Sequence, residues 1–318
     1  MLFFYNFFLN GKTFLTCDQQ LMATSLTKKS KKSLIRLKYV LMNKFESHNE
    51  LNKVILVSDI HENWQALKQI VNLPEYGQSA YTLIFLGDYT DANGSNTHEP
   101  IKVINFIMDQ VKHHGALAIH GNHDDMLYGT AIGDSQKFFN WGHNGMLETQ
   151  ARLGLTANDI NIELTKTELL EKYADYIDFL DAMPYGIEDQ HRLFVHAGID
   201  WQQPDYHETA IDDLIWIREP YFFSETAKAS LYDPSERSVI DSIWHVNTTD
   251  KVIVAGHTPT YFLSANGKNP IVAMKHNPDD WIRYDIDGGS HSADMEAALN
   301  VLILDKDGHE IRRTRLIA

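Results

Sequence analysis

The stretch KVILVSDIHEN, Lys53 to Asn63, sets a run of apolar and mostly β-branched residues directly before a polar cluster. A run of this length closed by turn-forming residues reads as a buried strand. Asp59 and His61 then stand at the strand's carboxyl end. One such block carries little weight, because an Asp or His after a strand usually bonds its own backbone as a turn or cap residue.

The arrangement recurs four times downstream. YTLIFL precedes GDYTD (87–91), GALAI precedes GNHDD (121–125), RLFV runs into VHAG (195–198), and KVIVA precedes GHTPT (256–260). In sheets covered by helices, ligands gather in the crevice beyond the carboxyl ends of the strands, where separate loops converge. Five strand ends would bring Asp59, His61, Asp88, Asn122, His123, His196 and His257 together. Carboxylate, imidazole and amide donors without a thiolate suit Mn, Fe or Zn and argue against a structural Cys-type zinc site. A carboxylate such as Asp88 can bridge two ions, giving the roughly 3.5–4 Å metal pair used in phosphate-ester hydrolysis.

With five ordered blocks in hand, the stretch from about Lys53 to Leu304 resembles the calcineurin-like metallophosphoesterases. More narrowly it is similar to the bacterial branch of PPP-type Ser/Thr phosphatases and to symmetrical diadenosine tetraphosphatases. The resemblance implies an α/β fold, a four-layer αββα sandwich of two mixed β-sheets flanked by helices. It implies two divalent or mixed-valence metal ions, Mn favoured over Fe or Zn: Asp59 and His61 hold the first, Asp88 bridges, and Asn122, His196 and His257 hold the second. It also implies direct in-line attack on phosphorus by a hydroxide held between the metals, with no covalent phosphoenzyme. His123 would protonate the leaving group and Asp91 would orient its ring. WGHNGMLETQARLG (141–154) and WIREP (216–220) resemble two further segments of the bacterial branch, the second as an Arg-bearing helix with Arg218 as phosphate clamp. A guanidinium meets phosphate oxygens with a charged fork that Lys does not reproduce.

Four positions depart from the pattern. Ala92 stands where a second Arg usually follows the GDYVD block, removing a charge-assisted bond worth about 1.5–3 kcal/mol and weakening the phosphate grip or altering preference. Ser58 and Glu62 stand where Gly is usual, and Asp124 where Glu is commoner. Glu62 is expected near the mouth of the site, where its charge would narrow the range of anionic substrates.

The 318 residues, 43% hydrophobic and 22% charged, suffice for one catalytic domain, taken as residues 50–318. A net charge of −15 disfavours nucleic acid as main partner, since binding there rests on Lys and Arg. A phosphorylated protein or a small phosphate ester is the expected partner. The single Cys17 fits a reducing compartment, and no apolar stretch approaches the roughly 20 residues of a membrane span, so the expected location is cytoplasmic. Residues 1–49 differ: MLFFYNFFLN precedes the basic KKSKKSLIRLK, the reverse of a secretory signal. They read as an extension, either flexible, or a basic amphipathic arm, or upstream of a true start near Met42.

Helices are expected over Trp64–Leu73 and Pro100–Lys112. Another is expected from a Thr165/Glu168 capping box through TKTELLEKYADYIDFLDAMP, with Leu169, Tyr173, Ile177 and Leu180 on one face, walling the cleft. His120 and His291 have no partner spacing that assigns them to the site. Phosphomonoester hydrolysis, on phosphoserine, phosphothreonine or a small ester, ranks ahead of dinucleoside polyphosphate cleavage. A nucleotide would need a stacking aromatic, and Tyr89, Tyr128, Trp201 and Tyr221 are the candidates. A noncatalytic phosphate-binding module is disfavoured because no ligand and no acid is missing.

Overall fold

Short β-branched runs make the scaffold. The computed structural model describes residues 44–93, 98–225, 231, 243–264, 270–291 and 297–318, which belong to one unit, Lys44–Ala318. The first sheet has the order β11-β10-β2-β3-β4. Here β2 is Lys53–Val57, β3 Tyr81–Phe85, β4 Leu117–Ala118, β10 Ala298–Leu304 and β11 Glu310–Ile317. Strands β2, β3 and β4 run parallel, and β10 is antiparallel to both of its neighbours. The second sheet has the order β1-β5-β6-β7-β9-β8, with β1 at Phe45–Ser47, β5 at Gly186–Glu188, β6 at Arg192–Val195, β7 at Val252–Ala255, β8 at Val272–Met274 and β9 at Arg283–Asp285.

The sheets pack face to face. Alternate residues Val54 and Leu56 of β2, Ile84 of β3, and Leu302 and Leu304 of β10 meet Ile187, Phe194, Val252, Val254 and Tyr284 of the second sheet in one buried cluster. The period of two along a strand puts the neighbouring residues on the outer faces. There Phe85 meets Phe106 of α2 (Pro100–His113) edge to face, and α2 rests on α1 (Trp64–Leu67). On the far side Leu193, Val195, Ile253 and Ala255 pack against α8 (Ile211–Trp216) and α9 (Glu219–Phe222). The result is the expected four-layer α/β sandwich of two mixed sheets. Among the described residues no helix is long and apolar enough to cross a membrane.

Several local expectations are corrected. Phe45–Ser47, assigned to the extension, is an edge strand pairing with β5 in parallel, so the fold starts before Glu50. The extension itself lies, up to residue 43, outside the described residues. The helix after His61 is α-helical only over Trp64–Leu67 and tightens into a 3-10 turn over Lys68–Asn72. Five helices follow β4: α3 (Asn122–Ile132), α4 (Ser135–Gly142), α5 (Met146–Arg152), α6 (Ile162–Lys172) and α7 (Ala174–Ala182). Thr165 does not cap: α6 begins one turn earlier with Asn161, whose side chain accepts from the Leu164 N–H. The Thr165 hydroxyl instead accepts from Gln150 and Asn158, and Glu168 accepts from Thr156. Tyr173, at φ −132°, then splits the expected single helix into α6 and α7. Leu169, Ile177 and Leu180 are buried as the pattern required, whereas Tyr173 is half-buried.

Arg283 of β9 is fully buried, an unusual place for a guanidinium. It donates to the carbonyls of Tyr221 (2.6 Å), Phe222 (3.4 Å) and His245 (2.7 Å) and lies over the rings of Tyr221 and Trp201. Arg283→Met keeps the length of the side chain but removes three charge-assisted donations; the Tyr221 and Phe222 carbonyls keep the Trp201 indole N–H and the His245 backbone N–H, whereas the His245 carbonyl loses its donor. A loss of about 3 kcal/mol or more in denaturant unfolding is expected, with the m-value unchanged. A loss below about 1 kcal/mol would mean that the His245 carbonyl finds another donor.

Candidate metal centre and active site

The five polar blocks meet at the carboxyl ends of the strands. Asp59 and His61 follow β2, Asp88 and Asp91 follow β3, Asn122 and His123 open α3 after β4, His196 follows β6 and His257 follows β7. Among the described residues every non-glycine with positive φ lies in these blocks: Asp59 (51°), His61 (44°), Glu62 (62°), Asp88 (60°), Asp91 (63°) and His257 (67°). Such backbone costs about 1–3 kcal/mol per residue and persists only where the surroundings over-determine it. The glycines of GNH and GH explain their own places. A Cβ on Gly121 would lie 2.1 Å from Asp88 Oδ1, and one on Gly256 would lie 2.2 Å from Asp59 Oδ2.

Two donor groups share one carboxylate. Asp59, His61 and Asp88 converge on one side, and Asp88, His196 and His257 on the other, all buried. Asp88 Oδ2 stands 3.6 Å from His61 Nε2 and 3.3 Å from His196 Nε2. Asn122 Oδ1 joins the second group 3.0 Å from His196 Nε2. Each ring is aimed from behind. His61 Nδ1 donates to the carbonyls of Thr90 and Asp91, and His196 Nδ1 to that of Leu86, leaving Nε2 for a ligand role.

The donor set fits two cations. His257 Nε2 is buried without a hydrogen-bond partner, as expected of a ring whose partner is a metal. Burial raises Asp59 to about 6, and burial also holds Asp285 and Asp287 well above the ordinary carboxylate range. Carboxylates gathered this closely favour cations among them, beyond the partial offset that His196 gives Asp59 and Arg218 gives Asp285 and Asp287.

Beside this centre, His123 Nδ1 donates to Asp91 Oδ2 at 2.8 Å, and the Trp141 indole N–H donates to both oxygens of Asp91. That bond gives WGHNG a physical role. Burial opposes charge on His123, but the carboxylates of Asp88, Asp91 and Asp124 outweigh it and raise the ring to about 9. Asp124, which departs from the usual Glu, accepts from the backbone N–H groups of Gly121, Asp88 and Tyr89 and so ties the GNHDD and GDYTD blocks together.

The centre opens into a pocket of about 310 Å³. Arg218 lines it as the one guanidinium or ammonium among the described lining residues, and its Nη1 donates to Thr258 Oγ1 at 3.1 Å. It is not on a helix as expected: it sits between α8 and α9 with φ −130° and ψ −100°. Glu62 also differs from expectation. It is fully buried behind the Asp91 loop, so it cannot filter substrates at the mouth.

The proposed stacking aromatics are not in the pocket either. Tyr89, Tyr128 and Tyr221 are core residues, and Trp201 stacks on Tyr221 and His245. Trp216, Tyr261 and Phe262 form the pocket's aromatic wall instead. His291, given no role from spacing, lies with its ring centre 4.6 Å from that of His61 and 5.4 Å from that of His123, and donates from Nδ1 to the Asp91 carbonyl. His120 is buried away from the pocket, stacked on Tyr185.

No curated protein matches the chain. Solved structures that match the chain include a candidate diadenosine tetraphosphatase, 17% identical, with a TM-score of 0.51, covering 85% of this chain and 97% of that one. They also include a metallophosphoesterase from Sphaerobacter thermophilus (15% identity, TM-score 0.44, 83% of this chain and 88% of that one). A third is a protein serine/threonine phosphatase from Saccharomyces cerevisiae with similarity to human phosphatase PP5 (13%, 0.45, 95% and 93%). The sequence model of one family takes in residues 52–303, and with them all five polar blocks: the chain belongs to the calcineurin-like phosphoesterases.

Proposed function

We propose that this protein is a dinuclear metal-dependent phosphatase hydrolysing phosphomonoesters, on a phosphoserine or phosphothreonine protein or a small phosphate ester. The observation that carries the reading is the position of Asp88, shared by two buried donor groups at the floor of a pocket that has His123 on its wall. Asp59 and His61 on one side, and Asn122, His196 and His257 on the other, would hold the ions. When bound, such a pair supplies a nucleophile from water at neutral pH and neutralises charge building on the phosphoryl oxygens.

The chain's own groups do the rest. Arg218 orients the phosphate from the pocket wall, its guanidinium held by Thr258. His123, with Nδ1 committed to Asp91, has Nε2 to give a proton to the departing oxygen, and the Asp91 carboxylate favours the protonated ring. Removing the guanidinium with Arg218→Met should lower kcat/KM by about 10- to 100-fold, mainly through KM, the equivalent of one charge-assisted bond. An unchanged KM would take Arg218 out of substrate binding.

A second reading, pyrophosphohydrolysis of a dinucleoside polyphosphate, is favoured by the aromatic wall of Trp216, Tyr261 and Phe262, on which a base can stack. Metal-stripped protein reloaded with Mn, offered p-nitrophenyl phosphate, a phosphothreonine peptide and diadenosine tetraphosphate, separates the two. Phosphate release from the peptide and none from the dinucleotide supports the phosphatase. The reverse supports the pyrophosphohydrolase, and inactivity on all three supports a binding module.

A further inference from the structure

The Asp91 carboxylate is spent on His123 and Trp141, so its position depends on what holds its backbone. The Asp91 N–H donates to Glu62 Oε1 at 3.2 Å. That oxygen also accepts from Thr149 Oγ1 at 3.1 Å, and Oε2 pairs with Arg152 Nη1 at 2.9 Å. The same nitrogen of Arg152 donates to the Ala92 carbonyl at 2.9 Å. Arg152, the last residue of α5, therefore grips the chain beside Asp91 twice, through Glu62 and through Ala92. Both Glu62 and Asp91 have left-handed backbone, which relaxes unless neighbours over-determine it. Glu62 is fully buried, and the Arg152 side chain is 19% exposed, so the pair is largely shielded from screening by water.

We propose that the buried Glu62–Arg152 pair positions the Asp91–His123 dyad, so that an arginine outside the pocket sets where the proton-donating nitrogen stands. Two departures from the family pattern then have one explanation. Glu62 is the anchor of the Asp91 loop, and Ala92 presents a carbonyl to Arg152 while its own buried side chain makes no contact with the pocket. The inference rests on reading His123 as the general acid, and Glu62 and Arg152 are positioning residues that touch no substrate.

The test compares Arg152→Met, Arg152→Lys and Glu62→Gln with the unaltered full-length chain, all loaded with zinc. The first readout is the low-field ring proton on His123 Nδ1 in NMR spectra, identified by its absence in His123→Asn. The second is kcat on phenyl phosphate against kcat on p-nitrophenyl phosphate. Arg152→Met is expected to broaden or lose the ring proton. Its kcat on the phenyl ester should fall at least about ten-fold further than on the nitrophenyl ester, with KM and bound zinc unchanged. Arg152→Lys should recover part of both signals.

An intact ring proton with equal losses on the two esters would overturn the proposal and leave the pair as a structural staple. Loss of zinc alongside activity would overturn it as well. If Arg152→Met does not fold, the Lys and Gln variants carry the same comparison. If the unaltered protein hydrolyses neither ester, the phosphatase reading fails, while the ring proton still decides whether Arg152 positions the dyad.

Discussion

Asp88→Asn is expected to lose most bound metal and to lower kcat by about 10³-fold or more on every substrate. The side chain belongs to both donor groups, so neutralising it weakens two sites at once. An amide offers one oxygen to two cations and sets its NH₂ against the other. Without the carboxylate, His61 and His196 also lose the anion that lies 3.6 and 3.3 Å from their Nε2 atoms. The fold should survive, because Gly121 and the Asp88 backbone remain tied to Asp124, and the His123 N–H still finds an oxygen acceptor at position 88. Metal content by elemental analysis, together with turnover of p-nitrophenyl phosphate, checks this. Full metal occupancy in the variant would mean that Asp88 does not bridge.

The frame of the site was legible in the sequence for a local reason. Asp59, Asp88, His196 and His257 each sit directly beyond a buried apolar run, and strand ends of a covered sheet converge whatever the order of the strands. What was not legible are contacts between residues far apart in the chain. Nothing near Glu62 indicates that Arg152, ninety residues on, pairs with it, so a carboxylate beside the motif reads as exposed charge although it is buried. His291 follows a glycine turn with no ligand spacing, and only the sheet order, which sets β9 beside β7, brings it to His61 and His123.

The aromatic wall escaped notice because Trp216 ends α8 and Tyr261 and Phe262 lie in a 3-10 turn after GHTPT. The tyrosines with more suggestive neighbours in sequence went to the core. The Thr165/Glu168 pattern misled in the opposite way. It has the right residues at the right spacing, yet Asn161 captures the helix start and frees Thr165 to bind Gln150 and Asn158. Arg218 lines the pocket but is not on the expected helix, because α8 ends at Trp216 and Pro220, in the first turn of α9, starts a new helix just after it.

His123→Asn separates metal chemistry from proton delivery. The side chain belongs to neither of the donor groups built on Asp88, so bound metal should stay at the level of the unaltered protein. The backbone N–H of residue 123 still reaches Asp88 Oδ1, and Trp141 still holds Asp91, so the loop geometry has its supports. What disappears is the ring nitrogen whose partner, Nδ1, is fixed by Asp91 at 2.8 Å. A departing alkoxide is strongly basic and needs that proton as the bond to phosphorus breaks, whereas p-nitrophenolate leaves without much help. The expected result is a loss in kcat of about 10²- to 10⁴-fold on an alkyl phosphate or phosphothreonine peptide and a much smaller one on p-nitrophenyl phosphate. Asp91→Asn should show the same pattern in weaker form, because the amide can still orient the ring but no longer stabilises its charge. Equal losses on good and poor leaving groups would remove His123 as the acid and assign it to binding phosphate alongside Arg218.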